Sequence, residues 1–271
     1  GTFWLMPLYT RVNADDDLGF NADSYGFALG MGGRVAPNLG VEVYAGYLYN
    51  DLDFKVRGAD SEDQDLYFGG INFIYAPKPY FTKLMALGYY ANHNYKGYTG
   101  LDYDLVEKAD YDSYGLRFDL IGGYIFGEKT RIIPQIGLSY AYYNTDSFWT
   151  KVPENPDLRR HYNPDNLDVW KVIGGLDIIS DIETKGKMNI RAFGGFRIEQ
   201  AISDNDISII NYAPNTPKYK LEKSIADTTG VLQGGLIFNY NKRWSFEISG
   251  RAELNSDYKT YTGRAIFKIN F

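Results

Sequence analysis

The two histidines, His93 and His161, are the residues of this sequence with the clearest capacity for acid–base chemistry. A histidine acts as a general base when an acid orients it and a nucleophile lies within reach. His93 stands between two asparagines and His161 follows two arginines, so neither has an acid, a serine or a cysteine beside it in the sequence. The chain contains no cysteine, which excludes thiol catalysis. We therefore predict no catalytic residue, no cofactor site and no enzymatic activity.

Two short charged runs could bind ions. Asp15, Asp16 and Asp17 carry the carboxylates that calcium prefers, but a solvated acidic loop has the same composition. Cation binding by this run stays open, and no metal site is predicted. Arg159 and Arg160 could hold phosphate groups of a lipid, and an ordinary surface pair explains them equally well.

Charged side chains also recur at alternate positions. In the segment 244–255, Glu247, Arg251 and Glu253 alternate with Trp244 and Ile248, so one face is charged and the other apolar. The charges predicted to face inward, here named the inner charged set, are Arg34, Glu42, Arg117, Asp119, Lys171, Asp177, Arg191, Arg197, Glu199, Glu247, Arg251, Glu253, Arg264 and Lys268. A constriction of one sign would select ions, whereas mixed signs predict paired charges along a wet pore that can accommodate a polypeptide.

The last strand has to position two of these charges, and it has two different faces. One face consists of Tyr261, Gly263, Ala265, Phe267, Ile269 and Phe271, and the other of Thr262, Arg264, Ile266, Lys268 and Asn270. An uncovered edge strand with such an apolar face would aggregate in water, and closure into a barrel removes the edge. If the apolar face meets lipid, the aromatic residue at the end of the strand lies at the membrane interface.

The same alternation recurs along the whole chain and predicts about twelve strands. They cover residues 2–13, 25–35, a segment from about 40, 65–75, 81–94, 114–126, 131–143, 170–178, 188–199, 232–240, 244–255 and 258–271. Alternation in the first of these does not decide which face points outward. Longer polar connections are predicted at 13–24, 55–63, 94–112, 145–166 and 201–228. Long and short connections alternate, which is typical of outer-membrane barrels with short periplasmic turns, long outer loops and both termini in the periplasm.

Composition agrees with this prediction. Hydrophobic residues make up 44% of the 271 residues, and mean hydropathy is −0.36. No apolar run of about 18 residues exists, so helical membrane spans are excluded. Aromatic residues at 17% suit two interfacial girdles. We predict a single domain, residues 1–271, that is an all-β, transmembrane, antiparallel up-and-down barrel. The alternative, a soluble lipocalin-like barrel or sandwich, fits the glycine and charge content of the polar faces less well.

Several segments together resemble a known family. They are Gly19 to Gly30 with Leu39-Gly40-Val41, then Ile133 to Tyr140, Phe196 to Glu199, and the closing Phe267, Ile269 and Phe271. These glycine, tyrosine and aromatic spacings resemble the translocator domain of autotransporters (type V secretion). The resemblance covers nearly the whole chain. One departure is that the family places a helix in the pore ahead of its first strand, and nothing helical precedes Phe3.

The resemblance implies a function in protein transport. The barrel would anchor an N-terminal passenger in the bacterial outer membrane and help to export it. Its implied partners are its own passenger, the barrel-assembly machinery, and outer-membrane lipid and lipopolysaccharide. The assembly machinery would read a closing-strand signal, which comprises Tyr261, Gly263, Phe267, Ile269 and Phe271. The formal net charge of −6 argues against nucleic acid as a partner.

Two other functions remain open from the sequence. A small-solute porin of similar size has the same strand pattern, and so does a purely structural, adhesin-like barrel. A passenger and helical linker encoded upstream would favour the translocator, and a signal peptide directly before Gly1 would favour the porin. The passenger, its cleavage and the oligomeric state are left undecided.

Overall fold

Almost the entire chain is β-structure in a computed structural model, which describes residues 1–14, 19–55, 59–99, 105–182, 186–241 and 243–271. A single turn of 3₁₀ helix, Pro156–Leu158, is the one helical element in these ranges. The strands are β1 Thr2–Ala14, β2 Phe20–Ala36, β3 Leu39–Phe54, β4 Ala59–Tyr75, β5 Tyr80–Tyr98, β6 Val106–Tyr124, β7 Thr130–Thr145, β8 Phe148–Trp149, β9 His161–Pro164, β10 Leu167–Ile182, β11 Met188–Ala201, β12 Asp206–Tyr212, β13 Tyr219–Ser224, β14 Thr228–Tyr240, β15 Trp244–Leu254 and β16 Tyr258–Asn270.

Twelve of these strands form one closed antiparallel barrel, in the order β1-β16-β15-β14-β11-β10-β7-β6-β5-β4-β3-β2. The first and last strands close it, since Thr2 pairs with Asn270 and Ala14 with Tyr258. Closure gives the last strand a partner on each side, which removes the edge predicted to be a hazard. The prediction of a twelve-stranded antiparallel barrel is confirmed. Within the described ranges no helix is long and apolar enough to cross a membrane.

Side-chain exposure alternates along the barrel strands. In β15, Ile248 is 52% exposed, whereas its neighbours Glu247 and Ser249 are 6% and 9% exposed. Large apolar side chains therefore cover the outer surface, and polar ones point into the barrel. In β1, whose facing the sequence left undecided, Phe3 and Leu5 are exposed and Trp4 is buried.

The barrel has a short-turn end and a long-loop end. The short-turn end carries the tight connections and both termini, where the Gly1 ammonium donates to the Phe271 carbonyl oxygen at 2.8 Å. The strands continue further toward the long-loop end than predicted. For example, β5 runs to Tyr98 instead of position 94, and β6 begins at Val106 instead of position 114. The predicted polar connections at 13–24, 55–63 and 94–112 are thus partly strand. Ladder hydrogen bonds do not depend on side-chain polarity, so a strand can extend past its apolar section.

The two longest predicted connections, 145–166 and 201–228, are not plain loops, because they form a second sheet. Strands β8 and β9 come from the connection after β7, and β12 and β13 from the connection after β11; together they form a four-stranded sheet in the order β13-β12-β9-β8. A bridge between Lys108 and Lys151 ties the first connection to β6. The sheet includes stacked aromatic rings, among them Phe148 and Tyr162 at 5.3 Å. The acidic run at Asp15 to Asp17 lies outside the described residues.

Candidate functional site: the interior of the barrel

A cavity of about 350 Å³ lies inside the barrel toward its short-turn end. Its lining includes Glu42 of β3, Lys83 of β5, Glu247 of β15 and Arg264 and Lys268 of β16. Because β3, β5 and β15 are not neighbours in the barrel wall, only the enclosed interior can bring these side chains together. Four of these five charged residues belong to the inner charged set that the alternating pattern predicted. The fifth, Lys83, was not recognised.

Part of this cavity is apolar, which the sequence did not predict. Trp4 is 8% exposed and packs with Ala28 and Ile266. The indole Nε1 of Trp4 donates to Glu42 Oε2 at 3.0 Å, which satisfies the buried donor. Gly30 makes room for the ring, since a Cβ at this position would lie 2.5 Å from the Trp4 indole. The interior at this end therefore combines a packed apolar patch with charges.

A second cavity, of about 290 Å³, lies toward the long-loop end. Arg117 of β6 and Lys171 of β10 line it, together with Tyr258 of β16. Asn205 and Ile225 contribute to the same lining, and both belong to the long connection between β11 and β14. That connection therefore folds over this end of the barrel and covers the cavity.

An ion-pair network crosses the interior beside this cavity. Arg117 Nε donates to Asp119 Oδ1 at 2.9 Å, and Arg117 Nη2 lies 3.9 Å from Glu199 Oε1. Lys171 Nζ is 3.9 Å from the other oxygen of Glu199. Two strands, β7 and β10, separate the strand of Arg117 from that of Glu199. The network therefore joins separate parts of the wall through the interior.

Asp177 is the centre of a further polar group. Gln135 Nε2 donates to it at 2.6 Å, Gln233 Nε2 at 3.3 Å, and Arg197 Nη2 lies 3.7 Å from it. Two amide donors and one guanidinium ion-pair partner, from three different strands, thus surround one carboxylate. The two glutamines alternate in phase with the charges but carry none, so the charge pattern could not indicate them.

Other members of the inner charged set are paired locally. Arg191 Nε donates to Asp181 at 2.7 Å, and Arg251 Nη2 donates to Glu253 at 2.6 Å. Arg191 and Asp181 join the neighbouring strands β11 and β10, whereas Arg251 and Glu253 both lie on β15. Arg34 differs, because it is exposed at the short-turn end of β2, next to an irregularity in strand pairing.

Glu247 accepts a hydrogen bond from Ser249 Oγ at 3.0 Å. Arg264 Nη2 reaches the same carboxylate at 3.4 Å, and Arg264 Nε donates to Ser249 Oγ at 2.9 Å. A carboxylate that is 6% exposed is thereby neutralised by a partly exposed arginine. Charge on this wall is therefore paired as well.

The arginine pair at Arg159 and Arg160 is used within the protein. The Arg159 guanidinium lies 4.9 Å from the centre of the Trp149 ring, and Arg160 Nη2 donates to the Thr99 carbonyl oxygen at 2.9 Å. Burial raises the pKa of Tyr162 in β9, and the nearby Glu107 carboxylate raises it further. These contacts fasten the second sheet to the end of the barrel.

His93 has partners that the sequence did not indicate. Its Nδ1 lies 2.7 Å from Glu62 Oε1, and its Nε2 lies 2.7 Å from Ser113 Oγ. The sequence neighbours of His93 include no acid or serine, but in the folded barrel β4 and β6 supply one of each from either side of β5. Only the strand register could have revealed this, since the three residues are about 20 to 50 positions apart. No group of three or more histidine, aspartate or glutamate side chains among the described residues could hold a metal ion.

The closed barrel, its exposed apolar surface and its charged interior define an outer-membrane β-barrel protein. Residues 3–251 match the family model of the autotransporter beta-domain, and the chain belongs to that family. It is an outer-membrane translocator domain of an autotransporter, which anchors and helps to export an N-terminal passenger. The resemblance seen in the sequence is thus confirmed, and the family match favours this function over a small-solute porin.

Solved structures with the same fold include other members of this family. The translocator domain of the autotransporter NalP from Neisseria meningitidis is 12% identical, with a TM-score of 0.80 over 100% of this chain and 88% of that one. The transport unit of AIDA-I from Escherichia coli is 11% identical, with a TM-score of 0.70 over 100% and 90%. The CymD monoaromatic hydrocarbon channel also reaches 0.60 at 9% identity, over 100% and 88%. A search of curated proteins found no match.

Proposed function

We propose that the interior of the barrel, lined by the inner charged set, is the route along which the passenger segment crosses the outer membrane. The observation that supports this most directly is the pairing of opposite charges on the inner wall, at Arg117 with Asp119 and Arg251 with Glu253. Paired charges keep the wall wet without a strong field of one sign. An extended polypeptide of any composition can therefore pass without being held.

In the proposed orientation the long-loop end faces the outside and the short-turn end faces the periplasm, as in bacterial barrels of this kind. The ion pair between Arg117 and Glu199 and the connection over the second cavity stand in the route. We therefore expect both to move aside while a chain is in transit. A twelve-stranded barrel has room for one or two extended chains only, so the side chains of its wall must lie within reach of the passenger.

This route can be tested by disulfide cross-linking, because the chain has no cysteine of its own. Gln233 points inward and donates to Asp177, whereas its neighbour Leu232 is exposed on the outer surface. Gln233→Cys is expected to form a disulfide with a single cysteine in a passenger that is stalled during export. The yield is read on non-reducing gels.

Leu232→Cys is the matched control, since it lies at nearly the same depth on the opposite face of β14. It should give at most a tenth of the cross-linked product. Equal cross-linking at the two positions, or none at Gln233→Cys while export of the passenger proceeds, would show that the passenger does not pass through the interior.

We also propose that the barrel-assembly machinery reads the closing-strand signal, and that the outer surface contacts outer-membrane lipid and lipopolysaccharide. Phe271 supports the first part, because its side chain is 79% exposed while its backbone N–H donates to the Gly1 carbonyl oxygen at 3.0 Å. A ring with so little burial contributes little to the stability of the finished barrel. Its effect is therefore expected during assembly.

Phe271→Ala is expected to lower the yield of folded barrel in the outer membrane several-fold and to leave refolding in detergent nearly unchanged, within about 0.5 kcal/mol. Immunoblots of membrane fractions and urea titrations measure the two quantities. Trp244→Ala serves as the control, because Trp244 is a half-exposed aromatic residue at the same end of the barrel. If Phe271→Ala lost as much in refolding as in cells, or if both variants lost equal yield in cells, the assembly role would be refuted.

A further inference from the structure

We propose that Ser113, His93 and Glu62 form an acyl-transfer site inside the barrel, with Ser113 as the nucleophile. The three side chains come from the neighbouring strands β6, β5 and β4. His93 Nε2 is 2.7 Å from Ser113 Oγ, and His93 Nδ1 is 2.7 Å from Glu62 Oε1. This is the geometry in which a carboxylate orients an imidazole and the imidazole accepts the proton of a serine hydroxyl.

The carboxylate is fixed by several donors. Glu62 is 4% exposed and accepts from Tyr111 at 2.5 Å and from Gln64 Nε2 at 2.6 Å, in addition to its contact with His93. Because Tyr111 and Gln64 both donate to it, the Glu62 carboxylate acts as a hydrogen-bond acceptor. The imidazole Nδ1 that faces Glu62 therefore carries the proton. Nε2 is then left to accept from Ser113.

The imidazole is also held in its plane. The Tyr111 ring stacks on His93 with ring centres 4.4 Å apart and 11° between the planes, and Phe148 stacks on the other face of Tyr111 at 4.1 Å. Phe148 belongs to β8, so the second sheet supports the site. A preorganised imidazole loses less orientational freedom when the reaction begins.

Tyr89 of β5 lies over the neighbouring strand β6 close to the nucleophile. Its ring occupies the space left by the absent side chain of Gly115, two residues from Ser113. The side chain therefore packs beside the site without being assigned a part in the reaction.

The reaction begins when Ser113 Oγ forms a bond to the carbonyl carbon of an ester or amide and its proton passes to His93 Nε2. The tetrahedral intermediate collapses, the bond from carbon to the leaving oxygen or nitrogen breaks, and His93 returns the proton to the leaving group. Water then attacks the acyl-serine with His93 as the base, which releases a carboxylic acid and regenerates Ser113.

Ser113 is 5% exposed and faces the interior, so the carbonyl must arrive through the barrel. The substrate class we assign is the ester or amide carbonyl of a polypeptide segment held there, and this assignment rests on the proposed route. Glu62 acts as a positioning residue, because it contacts His93 and not the reacting carbonyl.

An alkyl fluorophosphonate, which forms a stable bond with activated serines, tests the site without any passenger. The refolded barrel is expected to take up one equivalent at Ser113, located by mass spectrometry of its peptides, and to hydrolyse p-nitrophenyl acetate above background. Ser113→Ala should abolish both signals, and His93→Gln should slow labelling by about 100-fold or more. The gel mobility of unheated samples reports whether each variant is folded.

Ser24→Ala is the control, because Ser24 is a buried, inward-facing serine of β2 and lies outside this cluster. It should label like the unmodified protein. Glu62→Gln should lower the labelling rate, because an amide does not compensate the positive charge that develops on the imidazole, and Glu62→Asp should restore part of the rate, which loss of packing alone would not predict. A folded, unmodified barrel that remains unlabelled, or labelling that survives in Ser113→Ala, would overturn the proposal whatever the cross-linking experiment on the route shows.

Discussion

Ile248→Arg is expected to lower the free energy of unfolding in a lipid bilayer by about 2–4 kcal/mol, because it places a guanidinium on the lipid-facing surface near the middle of β15. Ile248 is half-exposed on the outside of the barrel, between the buried Glu247 and Ser249. Charge in hydrocarbon loses its hydration and finds no partner there. Urea titrations of the barrel refolded into vesicles measure the difference.

Gln233→Arg is the matched variant on the inner face. It introduces the same group beside Asp177, whose carboxylate already attracts Arg197 at 3.7 Å. The expected loss is below about 1 kcal/mol, since the new charge remains wet and has an opposite charge nearby. If Gln233→Arg proved as damaging as Ile248→Arg, the assignment of inner and outer faces in this part of the barrel would be wrong.

Arg117→Met should destabilise the barrel by about 3–5 kcal/mol, because it leaves the buried Asp119 without its arginine counter-charge and the buried Glu199 with Lys171 alone. Arg117 contacts both Asp119 and Glu199, and each of these acids is less than a tenth exposed. Methionine has an unbranched apolar side chain that can follow the path of the arginine methylene groups. The substitution therefore removes mainly the positive charge and the hydrogen-bond donors. Unfolding in vesicles again gives the free energy.

Two further variants separate the ion pairs from simple loss of packing. The double variant Arg117→Met with Asp119→Asn should recover part of the lost stability, because a neutral amide at position 119 needs no counter-charge. Arg251→Met should cost less than about 1 kcal/mol, since its partner Glu253 is about a third exposed and stays hydrated. Equal losses for Arg117→Met and Arg251→Met would mean that burial of the carboxylates does not decide their dependence on arginine.

The sequence by itself determined the strands of the barrel and their faces. Residues 244–255 and 258–271 were predicted within a residue or so of β15 and β16, and the exposed side chains of β15 are those that its alternation placed outside. The reason is physical: lipid on one side and a polar interior on the other impose a period of two on every membrane-crossing strand. Beyond the membrane-crossing part of the strands this constraint no longer applies, and the predicted strand boundaries become inaccurate. The extensions of β5 and β6 and the second sheet all lie in that region.

The tertiary structure alone decided which inward residues meet. A period of two assigns a residue to a face, but it contains no information on the register between strands or on the position around the barrel. The sequence singled out His93 but gave no signal that Glu62 and Ser113 meet it, although the side chains lie within hydrogen-bonding distance. Trp4 likewise became an interior residue only when β1 paired with β2 and β16. Its contact with Glu42 depends on a closed wall, which brings together side chains from strands that are not adjacent.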